Sequence, residues 1–301
     1  MHTIRTANKH RRSASPRKRL WQAGTLAAAV ASSLALFAWA AFGAQTSPHP
    51  ARTLLLGIPA YVYPGQPMLL HLQGMSPAPG IVILNPGNGD APFNAAWQAQ
   101  ARRLRARGVT VLGYVHTDAA TRSLADAETS VRNYLRPATG VNQVSGIFLD
   151  EMGNICPDVT YYAQLYAYIR KLDPSAFVAD NPGVPVSACF LRARQKVADT
   201  FVTFEHDAAT YQSSFPGNVV NPNGTYSLGT KYPASDFWHL VYSADGSRLT
   251  GIVSLARRRH AGYLYVTDGS LPNPWDSLAT YAPAESAAAA AARNPNTRGH
   301  S

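Results

Sequence analysis

Cysteine is almost missing from this chain: among 301 residues only Cys156 and Cys189 carry a thiol, and neither belongs to a CxxC pair or a histidine cluster. A cysteine-built zinc site is thereby set aside. Charge is sparse too, at 15% of residues against 46% hydrophobic, which is the composition of a globular fold with a sizeable core. Several signatures of common chemistries are also absent. No GxGxxG or GxxxxGK[ST] offers a phosphate cradle, no HExxH or HxxE offers a metal, and no GxSxG offers a serine elbow.

What is abundant is basic charge, at a net +10, which points first to nucleic acid. Seven of those bases, Arg5, Lys9, Arg11, Arg12, Arg17, Lys18 and Arg19, crowd a leader over 1–19 that holds no acid, and without them the net is +3. Bases elsewhere, such as Arg102, Arg103, Arg105 and Arg107, fit solvated helix faces, and no RNA-binding or zinc-finger pattern accompanies them. No nucleic-acid partner is expected.

Leu20 to Ala44 is uncharged and apolar, so 20–44 reads as a signal peptide or a membrane anchor. Ala41 and Gly43 stand where a signal peptidase wants small residues, yet the run is near the ~20 residues that span a bilayer, so both readings stay open. The basic flank stays cytoplasmic, which places the chain beyond the apolar run outside: periplasmic, extracellular or membrane-anchored. That compartment permits a Cys156–Cys189 disulfide.

After a linker over 45–52, eight strand-like runs recur: LLLGIPAYVY, GIVILNP, VTVLGYVHT, GIFLDE, FVADNP, TFVTFEH, FWHLVYS and GYLYVTDG. Helical segments separate several of them. Asn94 caps one that turns Trp97, Ala101 and Leu104 to one face before Gly108, and Ser123 with Asp126 approximates a capping box on the next. Asp158 opens a third, with Tyr162, Leu165, Ile169 and Leu172 inward. Strands alternating with helices predict an α/β fold, a (β/α)₈ barrel over 53–281, with a doubly wound sheet as the alternative. Gly217 to Pro233 reads as a long loop on the strand-end face, and 282–301, Ala-rich and then polar, as a disordered tail.

The runs GIFLDE and DTFVTFE end in acid, at Asp150, Glu151 and Glu205. A carboxylate is costly to bury unpaired, so acids at strand ends mark a mouth with a task. In a barrel all strand ends share that mouth. Paired carboxylates there suit glycoside hydrolysis, one giving a proton to the leaving oxygen and the other attacking or stabilising the anomeric carbon. Tyr61, Tyr63, Trp238 and Tyr242 are expected to stack on sugar faces. Asn85, His116, Asp180, Asn181, His206 and Asp268 complete the expected substrate-binding ring. His116 and His206 fit hydrogen-bonded structural histidines better than general bases. Asp150 and Glu151 would face opposite ways on an extended strand.

Together GIPAYVYPG, ILNPGNG, GYVHT, GIFLDE, ADNPG and TFVTFE resemble the spherulin-4-like proteins, glycoside hydrolase family 135, from about Leu54 to Asp268. The resemblance implies a metal-free, cofactor-free (β/α)₈ glycosidase that cuts within α-linked aminosugar exopolysaccharide of the galactosamine or N-acetylgalactosamine type. It puts the family's adjacent Asp and Glu on Asp150 and Glu151, and its later Glu on Glu205. The expected partner is therefore polysaccharide, with membrane contact only through the N-terminal segment and a monomeric state. A non-catalytic sugar-binding barrel and a metal-dependent polysaccharide deacetylase are the alternatives.

Overall fold

The computed structural model describes residues 54–135, 144–221, 226–227 and 231–291. The leader, the apolar run, the linker and residues 292–301 lie outside the described residues. Eight parallel strands close into a barrel: β1 (Leu55–Ala60), β2 (Ile81–Leu84), β3 (Thr110–His116), β4 (Gly146–Asp150), β5 (Phe177–Asp180), β6 (Thr200–Asp207), β7 (Phe237–Tyr242) and β8 (Tyr263–Val266). Each pairs with its neighbours in sequence, and β8 closes on β1 with Leu55 opposite Tyr263. The eight runs read from sequence are these strands.

Around them lie α1 (Pro67–Gly74), α2 (Ala95–Arg105), α3 (Leu124–Tyr134), α4 (Val159–Leu172), α5 (Ala188–Leu191), α6 (Ala208–Ser213), α7 (Leu249–Arg258) and α8 (Ala282–Ala290). The caps follow local chemistry. Asn94 accepts from the Ala96 and Trp97 amides, and Ser123 accepts from that of Asp126. Asp158 precedes α4 without a side-chain cap bond. Trp97, Ala101 and Leu104 of α2, and Tyr162, Leu165 and Ile169 of α4, are buried against the barrel. Full burial of an aliphatic or aromatic side chain contributes roughly 1.5–3 kcal/mol, so these stripes fix the helices more firmly than the caps do.

Two expectations need correction. Residues 282–290 are not a tail but α8, whose Glu285 accepts from the Val266 amide at 2.8 Å and whose Ser286 hydroxyl donates to the Pro77 carbonyl at 2.7 Å. Alanine is the best helix former, and small residues let α8 pack closely, so Ala-rich composition signalled order here. Of the Gly217–Pro233 segment, Asn218 and Val219 lie on the outer face of the barrel rather than at the mouth, Asn218 being bonded to Thr203 and His239. Val219 packs against Phe237, the first residue of β7, and Val219–Val220 pairs in parallel with Val186–Ser187.

Cys156 and Cys189 are bonded, with Cα atoms 5.7 Å apart and a separation of 33 residues in sequence. The bond ties the connection after β4 to α5, and Asn154 reinforces it by accepting from the Ser187 amide at 2.8 Å and donating to the Pro185 carbonyl at 2.9 Å. Closing a loop of that length removes enough unfolded-chain entropy to stabilise by about 3 to 4 kcal/mol. The double replacement Cys156→Ser with Cys189→Ser is expected to lose that much in denaturant unfolding. A loss below about 1 kcal/mol would refute it.

Candidate active site

At the mouth, Asp150 ends β4, Asn181 follows β5 and Glu205 lies near the end of β6. The amide nitrogen of Asn181 donates to Oδ1 of Asp150 at 2.6 Å and to Oε2 of Glu205 at 2.7 Å. Its own oxygen accepts from the Gly183 amide at 2.8 Å, which fixes the amide's orientation. Because both bonds share one nitrogen, the facing carboxylate oxygens can be no further apart than those two lengths end to end, 5.3 Å.

Glu205 faces inward because β6 is irregular. Val202 pairs with Trp238 and Phe204 with His239, so Thr203 is an extra residue. Thr203 bonds Asn218, and Phe204 packs on Tyr211 and Phe215, so two successive side chains face the helices. Strand alternation would otherwise turn Glu205 outward.

Glu151 leaves the strand by a different route. Its φ of 54° is left-handed, and Asp118, Ala119 and Ala120 are left-handed as well. A non-glycine residue in that region costs roughly 1–2 kcal/mol. The cost is met by the Ala119 amide donating to the Glu151 carbonyl at 2.8 Å and the Thr117 hydroxyl donating to the Asp150 carbonyl at 2.8 Å. Glu151 thus reaches the same mouth as Asp150 and hydrogen-bonds Asp118, rather than pointing to the opposite face.

The electrostatics separate the two buried acids. Burial, and then the charge of Asp150, push Glu205 up to about 7, against the hydrogen bonds from Asn181 and Trp275. Burial also raises Asp150, but hydrogen bonds from Tyr114, the Glu151 backbone and Asn181, and the nearby His116, all favour its ionised form. The proton therefore belongs on Glu205. Glu151 is raised by burial and by its bond with Asp118.

His116 sits between Asp118, 2.9 Å from Nδ1, and Asp90, 3.2 Å from Nε2. Burial disfavours its charge, but the two carboxylates outweigh burial and raise its pKa. Arg122 and Ser130 hold Asp90 in turn, at 2.7 and 2.9 Å. His116, Asp118 and Glu151 each offer an atom within 4.8 Å of the others, a spacing a cation could use. With both ring nitrogens facing carboxylates, however, the imidazole is a double donor with no lone pair to give a metal.

The other residues picked from sequence divide. Tyr61 meets Tyr114 edge-on at 5.6 Å, and its hydroxyl, raised first by burial and then by Asp150 and Glu205, stays a donor. Tyr242 lies nearly parallel to His206 at 5.9 Å, and His206 also pairs with Asp207 at 2.7 Å. Tyr63, 61% exposed, rests on Trp97 at the rim. The Asn85 amide donates weakly to Asn88 at 3.4 Å, beside the carboxylates' mouth but bonded to neither.

Three do not join. Trp238 is fully buried near the start of β7, its ring against Phe148 and filling the space a Cβ on Gly57 would need, so it is barrel floor. Asp180 pairs in register with Leu149 and so faces the helices; fully buried, it lacks a hydrogen-bond partner, and burial drives its pKa well up. Asp268 is exposed, and its charge acts on Tyr265 and Tyr281 instead of the acids.

Sequence reading missed Tyr114 and Trp275. Tyr114 is two residues before His116, so strand alternation counted back from His116 would have found it. Trp275 donates its ring N–H to Oε1 of Glu205 at 3.3 Å from the irregular segment after β8, where no periodicity could place it.

Comparison with known proteins agrees with the barrel fold. Residues 56–289 match the profile of spherulation-specific family 4. Spherulin-4 of Physarum polycephalum is 27% identical over 230 residues, covering 75% of this chain and 65% of that protein's length. The crystal structure of Aspergillus clavatus Sph3 in complex with GalNAc superposes with a TM-score of 0.66 at 21% identity, covering 80% of this chain and 98% of that one. That likeness is one of fold.

Proposed function

From the premise that this chain belongs to spherulation-specific family 4, we propose that it is a retaining endo-glycosidase acting on aminosugar exopolysaccharide. The observation that carries the reading is the single Asn181 nitrogen bonded to both Asp150 and Glu205. Carboxyl groups about 5–5.5 Å apart suit a covalent glycosyl intermediate, while about 6.5–9.5 Å leaves room for the water of inversion. A facing-oxygen limit of 5.3 Å favours the first.

In this reading Glu205 gives its proton to the glycosidic oxygen as the ionised Asp150 attacks the anomeric carbon, forming an ester bond and breaking the glycosidic one. Glu205, now ionised, takes a proton from water, whose oxygen attacks the same carbon and releases Asp150. Glu151 and Asp118 line the mouth as hydrogen-bonding partners for the sugar. Tyr61 and Tyr242 supply apolar ring faces with polar edges. The GalNAc bound by Sph3, together with the family resemblance, supports an N-acetylgalactosamine or galactosamine chain as substrate. The basic leader and the apolar run support action outside the cytoplasm.

The test is incubation with α-linked, partly N-acetylated galactosaminan, following reducing ends and product masses. Oligosaccharides of mixed length from internal cuts are expected. Binding without new reducing ends would replace this reading with the non-catalytic barrel, and release of acetate without cleavage would replace it with the deacetylase.

A further inference from the structure

The part of β6 that carries Glu205 is held loosely by its neighbouring strands. β5 pairs with it at Thr200 and Phe201 and ends there, at Asp180, while on the other side Thr203 is skipped in the register with β7. An unpaired residue in a strand takes its position from whatever its side chain meets. Thr203 is fully buried on the outer face, and its hydroxyl donates to Oδ1 of Asn218 at 3.1 Å. The same oxygen lies 2.7 Å from Nε2 of His239, the residue opposite Phe204. Asn218 is itself fixed from two sides. Its amide nitrogen donates to the Arg259 carbonyl at 2.7 Å, and its backbone carbonyl accepts from the Val186 amide at 3.1 Å. With that nitrogen engaged, Asn218 presents to Thr203 and His239 an oxygen that can only accept. Burial, and then the nearby Arg259, lower the pKa of His239 to about 3, so its ring is neutral. The one ring proton sits on Nε2, and Nδ1 accepts from the Tyr211 hydroxyl at 2.8 Å. Both lone pairs of the Asn218 oxygen are thus used, one for each strand.

We propose that Asn218 is a positioning residue for the proton donor: from outside the barrel it pins the skipped Thr203 beside His239, which leaves Phe204 in its outer aromatic pocket and Glu205 turned into the mouth. This role presupposes Glu205 as the acid of the proposed reaction. An apolar residue in place of Asn218 would leave two buried donors unpaired, one on each strand. Sliding toward regular pairing would then draw Phe204 to the mouth and Glu205 away from Asn181 and Trp275, which now hold its two oxygens. Every reacting group would still be present, only displaced. A displacement of about 1 Å costs on the order of 100-fold in rate.

The test is indole N–H NMR on the full chain, isotope-labelled at tryptophan. Trp275 donates its ring N–H to Glu205, so its resonance is expected to shift as Glu205 titrates, with a midpoint at about 7. Glu205→Gln should erase that step and so assigns it. In Asn218→Leu, and in Thr203→Val, which trades a hydroxyl for a methyl, the step is expected to shrink by half or more, whereas Thr203→Ser keeps the hydroxyl and should keep the step. In the first two, kcat on polymer should fall about 10- to 100-fold, while the first step on an aryl glycoside whose phenolate leaves without a proton keeps most of its rate. A full step in both variants, a step that survives Glu205→Gln, or equal losses on the two substrates would overturn the proposal. Thr203→Val decides the matter if Asn218→Leu does not fold. Should the unmodified chain cleave no polymer, the proposed reaction fails, and the indole titration, which needs no substrate, still decides whether Asn218 positions Glu205.

Discussion

Glu205→Gln is expected to lose about two to four orders of magnitude in kcat on galactosaminan while keeping most of its first-step rate on an aryl glycoside whose phenolate leaves without a proton. The range is what a positioned general acid contributes. Asp150→Asn should lose activity on both substrates, because attack on the anomeric carbon is needed whatever the leaving group. The split between the variants assigns the roles. Were Asp150→Asn the variant rescued by the activated leaving group, the roles of the two acids would be exchanged. Both variants hydrolysing polymer near the wild-type rate would remove the pair from catalysis altogether.

Asn181→Ala is expected to cost about 10- to 100-fold in kcat/KM, the worth of a hydrogen bond to a charged group. Its pH profile is the sharper measurement. Activity needs Asp150 ionised and Glu205 protonated, so it falls as pH drops through the first pKa and as pH rises through the second, which stands at about 7. Asn181 donates to both carboxylates, favouring the charged form of each. Its loss lets both pKa values rise, and both limbs of the profile should move to higher pH. A uniform drop with unmoved limbs would mean that Asn181 only supports the fold.

Much of this architecture was legible in the chain. The eight apolar runs are short, bounded by turn residues and separated by helical stripes, and each became a barrel strand. Asp150 and Glu205 were placed on the fourth and sixth of these. Where the reading failed, it failed on direction rather than location. Asp180 and Asn181 are adjacent, so one had to face the helices, and register with Leu149 decided which. Trp238 is an aromatic residue in the right strand but at its wrong end. The tie that Asn181 makes across two strands depends on three-dimensional spacing, which no local pattern carries. Trp275 acts from an irregular segment, and helix α8 was hidden because repeated alanine suits both a low-complexity tail and a tightly packed helix.

The extra residue in β6 gives the proton donor an unusual vulnerability. Were the strand to pair regularly at its present length, every proposed catalytic side chain would stay in the sequence, yet alternation would aim Glu205 at the helices and bring a phenylalanine into the mouth. A relative that keeps the letters but not the irregular pairing would lose the acid, whereas one that lacks Thr203 would keep it, with Phe204 still outward and Glu205 still inward. Inventories of active-site residues alone would count the first as intact, so the pairing of this strand belongs among the criteria for recognising a working member of the family.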